Sequence, residues 1–367
     1  MTQLREITLV QTTTILISTI IGVGVLRLPL IAVRAADTGA PFITFLAVII
    51  SFIGLWAITK LGIQFPNQSI IHYSEKILGK WLGRLYGWMI IIFFLALTGF
   101  TSREFGAVVV TAVLKETPLE VTVIVMLFLA AIFTRDNINT FAYIHNFYVP
   151  IILVPVLIIV AVSLKNADPL YLQPIFVSES TGMLLNGTLT IAALFQGAFI
   201  MTIIIPFMQK PKKAMKATIW GIFISGALYI MIVIATLAVF GPEEMKKTMW
   251  PTLELARATS LPGNILQRLD VVFLAVWVTA VFTTIFSSYM FSVQALKQIF
   301  RLQDHKLFSY FLLPIVFVIA MLPENTLQMY QIIGFVGKIG LLITIVSPFL
   351  LLIIAKLRKL TVKKGED

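Results

Sequence analysis

Helix breakers stand inside two runs that otherwise read as membrane-spanning helices. The apolar run from Leu9 to Val33 contains "IIGVGVLRLP", Ile20 to Pro29, with Gly22, Gly24, Arg27 and Pro29 at its centre. A second run contains "LFQGAFIMTIIIPF", Leu194 to Phe207, interrupted by Gln196, Gly197 and Pro206. Lipid satisfies no backbone N–H or C=O, so an opened turn at that depth persists only inside protein or against a cavity. There, freed amides and half-helix N-termini hold an anion such as a carboxylate, and freed carbonyls accept from an ammonium group. A zwitterionic amino acid matches both ends. The competing reading is that these glycines only let helices pack closely. Two interruptions at corresponding positions of the chain favour the cavity.

The elements that must carry these stretches are helices. The 367 residues are 59% hydrophobic and 12% charged, with a mean hydropathy of +0.96. Apolar runs recur from end to end, the pattern of a polytopic, all-α integral membrane protein. Ten spans are expected, at about 8–33, 39–62, 83–111, 118–134, 140–164, 183–208, 215–240, 268–300, 307–322 and 327–355. They form one transmembrane domain over residues 1–367, with no cleaved signal peptide and no separate soluble domain. The longer polar stretches are 165–181 and 241–267. Short interfacial helices are expected at Ser69 to Leu78 and, on the opposite side, at Trp250 to Leu261.

Charge sets the orientation. Eighteen lysines and arginines, among them Lys210, Lys212, Lys213 and the tail residues Lys356 to Lys364, fall on the side of the N-terminus, and seven fall on the other. Both termini are therefore expected in the cytoplasm, and the net charge of +11 reads as a topology signal rather than a nucleic-acid surface. Ten spans divide into halves at about 8–164 and 183–355. An odd number per half inverts one half relative to the other, so the two interrupted spans lead corresponding repeats.

These residues resemble a known family. "IIGVGVLRLP" is similar to the G-small-G-x-x-x-x-P region of the first helix in amino acid–polyamine–organocation permeases, whose LeuT-like fold is a five-plus-five inverted repeat with broken helices one and six. "GKWLGRLYGW" at 79–88, "TSREF" at 101–105 before "KETPLEV" at 115–121, and "MWPTLELARATSLPGNILQRLDVVFLAVWVTAVFTT" at 249–284 resemble the B subunit of endospore nutrient germinant receptors, the spore germination permease family. The resemblance runs over essentially the whole chain. It implies a subunit of the spore inner membrane that associates with an A subunit and a lipoprotein C subunit. Such a subunit senses a nutrient such as an amino acid and triggers germination. A free-standing amino acid transporter, proton-coupled or uncoupled, would use the same pocket and stays open as the alternative.

In that architecture spans one, three, six and eight surround the ligand. The candidates are Gly22, Val23, Gly24 and Val25; Leu97, Thr98 and Thr101; Phe195, Gln196, Gly197, Ala198 and Phe199; and Thr283, Thr284 and Ser287, beside Ser288. By resemblance Gly24, Thr284, Ser287 and the segment 196–199 weigh most, although Ser and Thr in membrane helices also bond back to their own preceding turn. Arg27, Arg103, Glu104 and Lys338 lie within expected spans as structural or gating charges. Arg27 either snorkels to the interface or guards the outer vestibule. Arg103 and Glu104 project about 100° apart, and Lys338 reads as an internal or proton-linked group. No acid is committed to a cationic side chain, which points to a small neutral amino acid.

Other chemistry is not expected. There is no phosphate-binding or dinucleotide glycine motif and no nucleophilic serine arrangement, so an enzyme, a cofactor and a nucleic-acid partner are all unexpected. Zero cysteines exclude disulfides and thiolate sites. His72, His145 and His305 are isolated in sequence, without metal-ligand spacing, and are assigned to loops or interfaces. Span five carries no acid or lysine in its apolar body, and no cation-coupling cluster stands out.

Overall fold

A computed structural model of the chain describes residues 6–174, 180–259 and 269–360. Long uninterrupted apolar runs satisfy their own backbone groups only as helices, and helices make up nearly all of the described residues. In chain order they are α1 (Leu9–Ile20), α2 (Leu28–Ala36), α3 (Ala40–Gln64), α4 (Ile70–Leu78), α5 (Lys80–Ala112), α6 (Leu119–Phe133), α7 (Ile138–Ser163), α8 (Thr181–Ala192), α9 (Met201–Ile204), α10 (Ala214–Lys247), α11 (Pro251–Ala258), α12 (Leu269–Ile299), α13 (Lys306–Met321), α14 (Thr326–Leu341) and α15 (Ser347–Leu357). The described residues contain no strand. A single parallel bridge ties Ile7 to Met208.

Among the described residues, seven helical stretches are long and apolar enough to cross a membrane: Leu28–Gln64, Lys80–Ala112, Ile138–Asn166, Thr181–Phe207, Pro211–Lys247, Leu269–Ile299 and Thr326–Leu357. Three shorter apolar helices, Leu9–Ile20, Leu119–Phe133 and Lys306–Met321, fall at the remaining expected positions. Large apolar side chains such as Phe45, Phe128, Ile158, Phe223 and Leu350 are exposed around the bundle. That rim suits lipid and not water, and the protein is an integral membrane protein.

Short helices stand at both stretches expected to be interfacial, α4 within 69–78 and α11 within 250–261, and Ser260 and Leu261 lie outside the described residues. So do Arg5, Arg268, Lys363 and Lys364 of the charge count.

The first interruption opens the chain. α1 starts on a capping box in which Thr8 receives the Gln11 amide and the Gln11 side chain receives that of Thr8. It stops at Ile20, and Ile21 is extended. A 3-10 turn over Val23–Leu26 follows. α2 then begins with Pro29 in its first turn, where the missing N–H costs nothing.

The second interruption differs from the expectation of an unwound segment. The chain from Ala193 to Ile200 stays helical but tightens to 3-10 geometry over eight residues, longer than such turns usually run. Pro206 lies in another 3-10 turn, Ile205–Phe207. α1, the 193–200 stretch and α12 pack on one another, with α5 and α14 closing the sides.

Candidate ligand-binding site

The end of a helix leaves carbonyls without intrahelical partners, and at α1 side chains from other helices take three of them. Thr283 Oγ1 donates to the Ser18 carbonyl at 2.9 Å. Thr284 Oγ1 donates to that of Thr19 at 3.1 Å, and the Tyr229 hydroxyl to that of Ile20 at 2.7 Å. Past the break, Thr252 of α11 donates to the Val25 carbonyl at 2.7 Å. The amides of Gly22, Val23 and Gly24 are different. Among the described residues they donate to no acceptor, and they border a cavity of about 270 Å³.

Eight of the expected ligand residues line this cavity: Gly22, Val23, Gly24, Leu97, Thr101, Gln196, Gly197 and Thr284. The other seven do not; helix geometry accounts for Phe195, Ala198, Thr283 and Ser287, whereas Phe199, on the ridge of Gln196, is taken up by rings of other helices. In the 3-10 stretch side chains repeat every third residue, so Ala193 with Gln196 and Leu194 with Gly197 face inward while Phe195 and Ala198 share the third ridge. Phe195 packs on Tyr229 with ring centres 5.1 Å apart, and Phe199 lies between Phe94 and Phe291. On α12, Thr284 and Ser288 are i,i+4 neighbours on the cavity face; Thr283 and Ser287 lie behind them, against α1. Thr98 donates to Ser288 Oγ at 2.9 Å, and Val25 is buried away from the cavity.

Gln196 has the most telling side chain. Its Nε2 donates to the Gly337 carbonyl at 2.5 Å, whereas its buried Oε1 has no donor among the described residues. The glycines also serve packing. A methyl group on Gly22 would overlap Thr284 Oγ1, and one on Gly197 would stand 2.8 Å from Thr19 Cγ2. The two readings of these glycines therefore hold together: close approach of the helices is what builds the cavity wall.

A second polar cluster lies behind the cavity. His145, assigned to a loop or interface from sequence, is fully buried in the middle of α7. Its Nδ1 lies 2.5 Å from Ser18 Oγ and its Nε2 3.2 Å from Ser287 Oγ. Ser287 Oγ in turn lies 2.6 Å from Thr19 Oγ1, and Thr19 lines the cavity.

Residues 6–329 match the family described as spore germination protein, a family of spore permeases. The chain belongs to the spore germination permease family. The chain is 28% identical over 355 residues to spore germination protein YndE of Bacillus subtilis (strain 168), covering 96% of its own length and 97% of that relative. It is 26% identical over 357 residues to spore germination protein A2 of the same organism, with 96% of each chain covered. It is also 28% identical over 277 residues to the serine/threonine exchanger SteT of Bacillus subtilis (strain 168), over 71% of its length and 61% of SteT. Among solved structures, a Na+-coupled sialic acid symporter in a substrate-bound outward-open state superposes with a TM-score of 0.68 at 11% identity, covering 94% of this chain and 78% of the symporter. That likeness is one of fold.

Of the four charges within expected spans, Arg27 and Glu104 line the cavity and Arg103 and Lys338 do not. The Arg27 guanidinium stacks 3.4 Å over the ring of Tyr330, which also lines the cavity. Trp250 Nε1 donates to the Tyr330 hydroxyl at 3.0 Å. Glu104 is 7% exposed, lines the same cavity and interacts electrostatically with Arg27 and Tyr330. The cavity therefore does contain an acid, which its position near the end of a long span concealed. Arg103 turns the other way, to the Pro323 carbonyl at 3.0 Å, and ties α5 to the end of α13. Lys338 is exposed and off the cavity. The contribution of α14, through Tyr330, Gly334 and Gly337, was missed; the glycine spacing in "GFVG" was its only trace in the sequence.

Proposed function

We propose that this chain is the ligand-sensing membrane subunit of a spore germinant receptor and that it holds a small neutral amino acid in the cavity between α1, α5, the 193–200 stretch and α12. The observation that carries the reading is the run of undonated amides at Gly22 to Gly24 on a cavity also lined by Gln196, whose buried Oε1, packed beside Gly340, has no donor among the described residues. Amides at the start of a turn suit a carboxylate, and a buried acceptor without a donor suits an ammonium. Leu97, Phe100, Leu194 and Ile333 supply apolar walls for a side chain without charge, with Arg27 and Glu104 answering each other at the outer rim.

On this reading the chain crosses the membrane ten times as inverted repeats at about 8–164 and 183–355, with a broken first span and a distorted sixth. Both termini face the cytoplasm, and the subunit works in the spore inner membrane with A and C subunits. Family membership, whole-length similarity to spore germination proteins and a transporter fold support it.

A second reading is a free-standing amino acid transporter using the same cavity, which the similarity to an exchanger favours. One experiment separates them: equilibrium binding and uptake of radiolabelled glycine, alanine, serine, valine and leucine by the purified chain in proteoliposomes. Saturable binding without accumulation supports the sensor. Saturable accumulation replaces it with the transporter, and no binding at all defeats the assigned pocket.

A further inference from the structure

The cavity does not use the imidazole of His145, yet hydroxyls connect the two. The path runs from cavity-lining Thr19 through Ser287, 2.6 Å away, to His145 Nε2 at 3.2 Å. On the far side Nδ1 meets Ser18 Oγ at 2.5 Å, and Ser18 Oγ donates to the Thr14 carbonyl at 2.8 Å. The remaining neighbours are rings: Phe141 with centres 4.3 Å apart, and Phe286 stacked at 5.8 Å and 3°. Among the described residues of α1, α10, α11, α12 and α7 itself, no charged group interacts with the ring. Ionisable side chains inside membrane bundles mark proton or ion pathways, and each nitrogen of this one meets a hydroxyl that can donate or accept.

A neutral imidazole has one N–H and one acceptor nitrogen; an imidazolium has two N–H groups. Both forms fit this cage, because a hydroxyl both donates and accepts. Protonated, the ring donates to Ser18 Oγ, whose own proton goes to the Thr14 carbonyl, and to Ser287 Oγ, whose proton goes to Thr19 Oγ1. Only the Thr19 proton is displaced from its protein acceptor, Ser287, and Thr19 lines the cavity. The added charge lies beside Ser18, in the last turn of α1, where the helix dipole favours a cation, and against the face of Phe286, which also favours one.

We propose that His145 is a proton-binding site of this protein, linked to occupancy of the cavity by a ligand bearing a carboxylate. A carboxylate on the Gly22–Gly24 amides is separated from the ring by two hydroxyls and attracts the added proton. By reciprocity, the proton then strengthens ligand binding. The ligand half of this inference rests on the reading above; the proton half does not.

The test uses the full chain in detergent with 15N-labelled histidine. His145→Gln assigns the His145 signals, and His72→Gln and His305→Gln assign them by subtraction if that variant does not fold. The ring nitrogens of His145 are expected to change reversibly between about pH 4 and pH 8. Binding of glycine, alanine, serine or valine is expected to take up protons and to tighten about fivefold or more from pH 8 to pH 5, with no such trend in His145→Gln and the trend retained in Glu104→Gln. Signals that stay fixed across the range overturn the proton site. A pH trend that survives His145→Gln, or a titrating ring that ignores a bound amino acid, overturns the linkage. If no amino acid binds, the pocket reading fails on its own, while the nitrogen signals still decide the proton site.

Discussion

The hydroxyl of Thr284 donates to the carbonyl of Thr19 at 3.1 Å. This contact pins the end of α1 to α12 and closes one wall of the cavity. A buried carbonyl left without its donor costs about 1–3 kcal/mol. Thr284→Val is therefore expected to lower the melting temperature in detergent and to weaken amino acid binding, while Thr284→Ser, which keeps the hydroxyl, retains both. Thermal unfolding and equilibrium binding on the same preparations check this. A valine variant as stable as the parent would show that the carbonyl finds another donor.

Gly22 and Thr284 form a coupled pair, because a Cβ at 22 overlaps the Thr284 hydroxyl. Gly22→Ala is expected to destabilise by about 1–3 kcal/mol as overpacking. In the double variant Gly22→Ala/Thr284→Ala the two losses should add to less than their sum, since the second change removes the atoms the first one strikes. Strict additivity in a double-mutant cycle would contradict the contact.

Gly24 faces the cavity, and a Cβ there comes within 2.7 Å of Leu194 Cδ2, the far end of a side chain that has room to move. Gly24→Leu is expected to insert and fold but to lose amino acid binding, because the bulk occupies the space beside the free amides. Unchanged affinity would remove Gly24 from the site.

The Arg27–Tyr330 stack covers the rim of the cavity. A cation–π contact of this kind contributes about 0.5–2 kcal/mol. Tyr330→Leu is expected to speed ligand dissociation roughly in proportion, by about 2- to 30-fold. Tyr330→Phe keeps the ring, loses the Trp250 bond and should change less. Dissociation rates from a chase with unlabelled amino acid read the difference; equal rates in all three proteins would mean the rim does not gate release.

His305 precedes α13 and donates its Nε2 proton to the carbonyls of Thr134 and Asp136 at 3.0 and 3.1 Å. Burial lowers its pKa below the ordinary histidine value. A group that holds its proton less tightly when folded contributes stability that is complete above the unfolded pKa and is lost as pH falls below it, toward the folded value. The melting temperature is thus expected to drop as pH falls below about 6.5. His305→Gln should be less stable at neutral pH and show a shallower acid decline. An acid decline as steep as the parent's would assign it to other groups.

The sequence by itself determined where helices start and stop and where the first one breaks. Those are local matters: apolar run length, Gly22 and Gly24, Pro29, and the Thr8–Gln11 cap act on their own neighbours in the chain. It also carried the family, through motifs spread over the whole length. It did not determine which side of each helix looks inward. Apolar residues cover these helices nearly all round, because lipid is as apolar as the protein interior, so periodicity that would mark a buried face in water is absent. Tertiary packing alone turned Glu104 into the cavity and Arg103 away from it, tightened 193–200 so that Gln196 faces inward and Phe195 does not, and brought α14 to the cavity wall. It alone joined His145 to Ser18 and Ser287, residues 127 and 142 positions away, since a hydrogen bond between distant helices is decided by how they pack and leaves no spacing for a sequence to display.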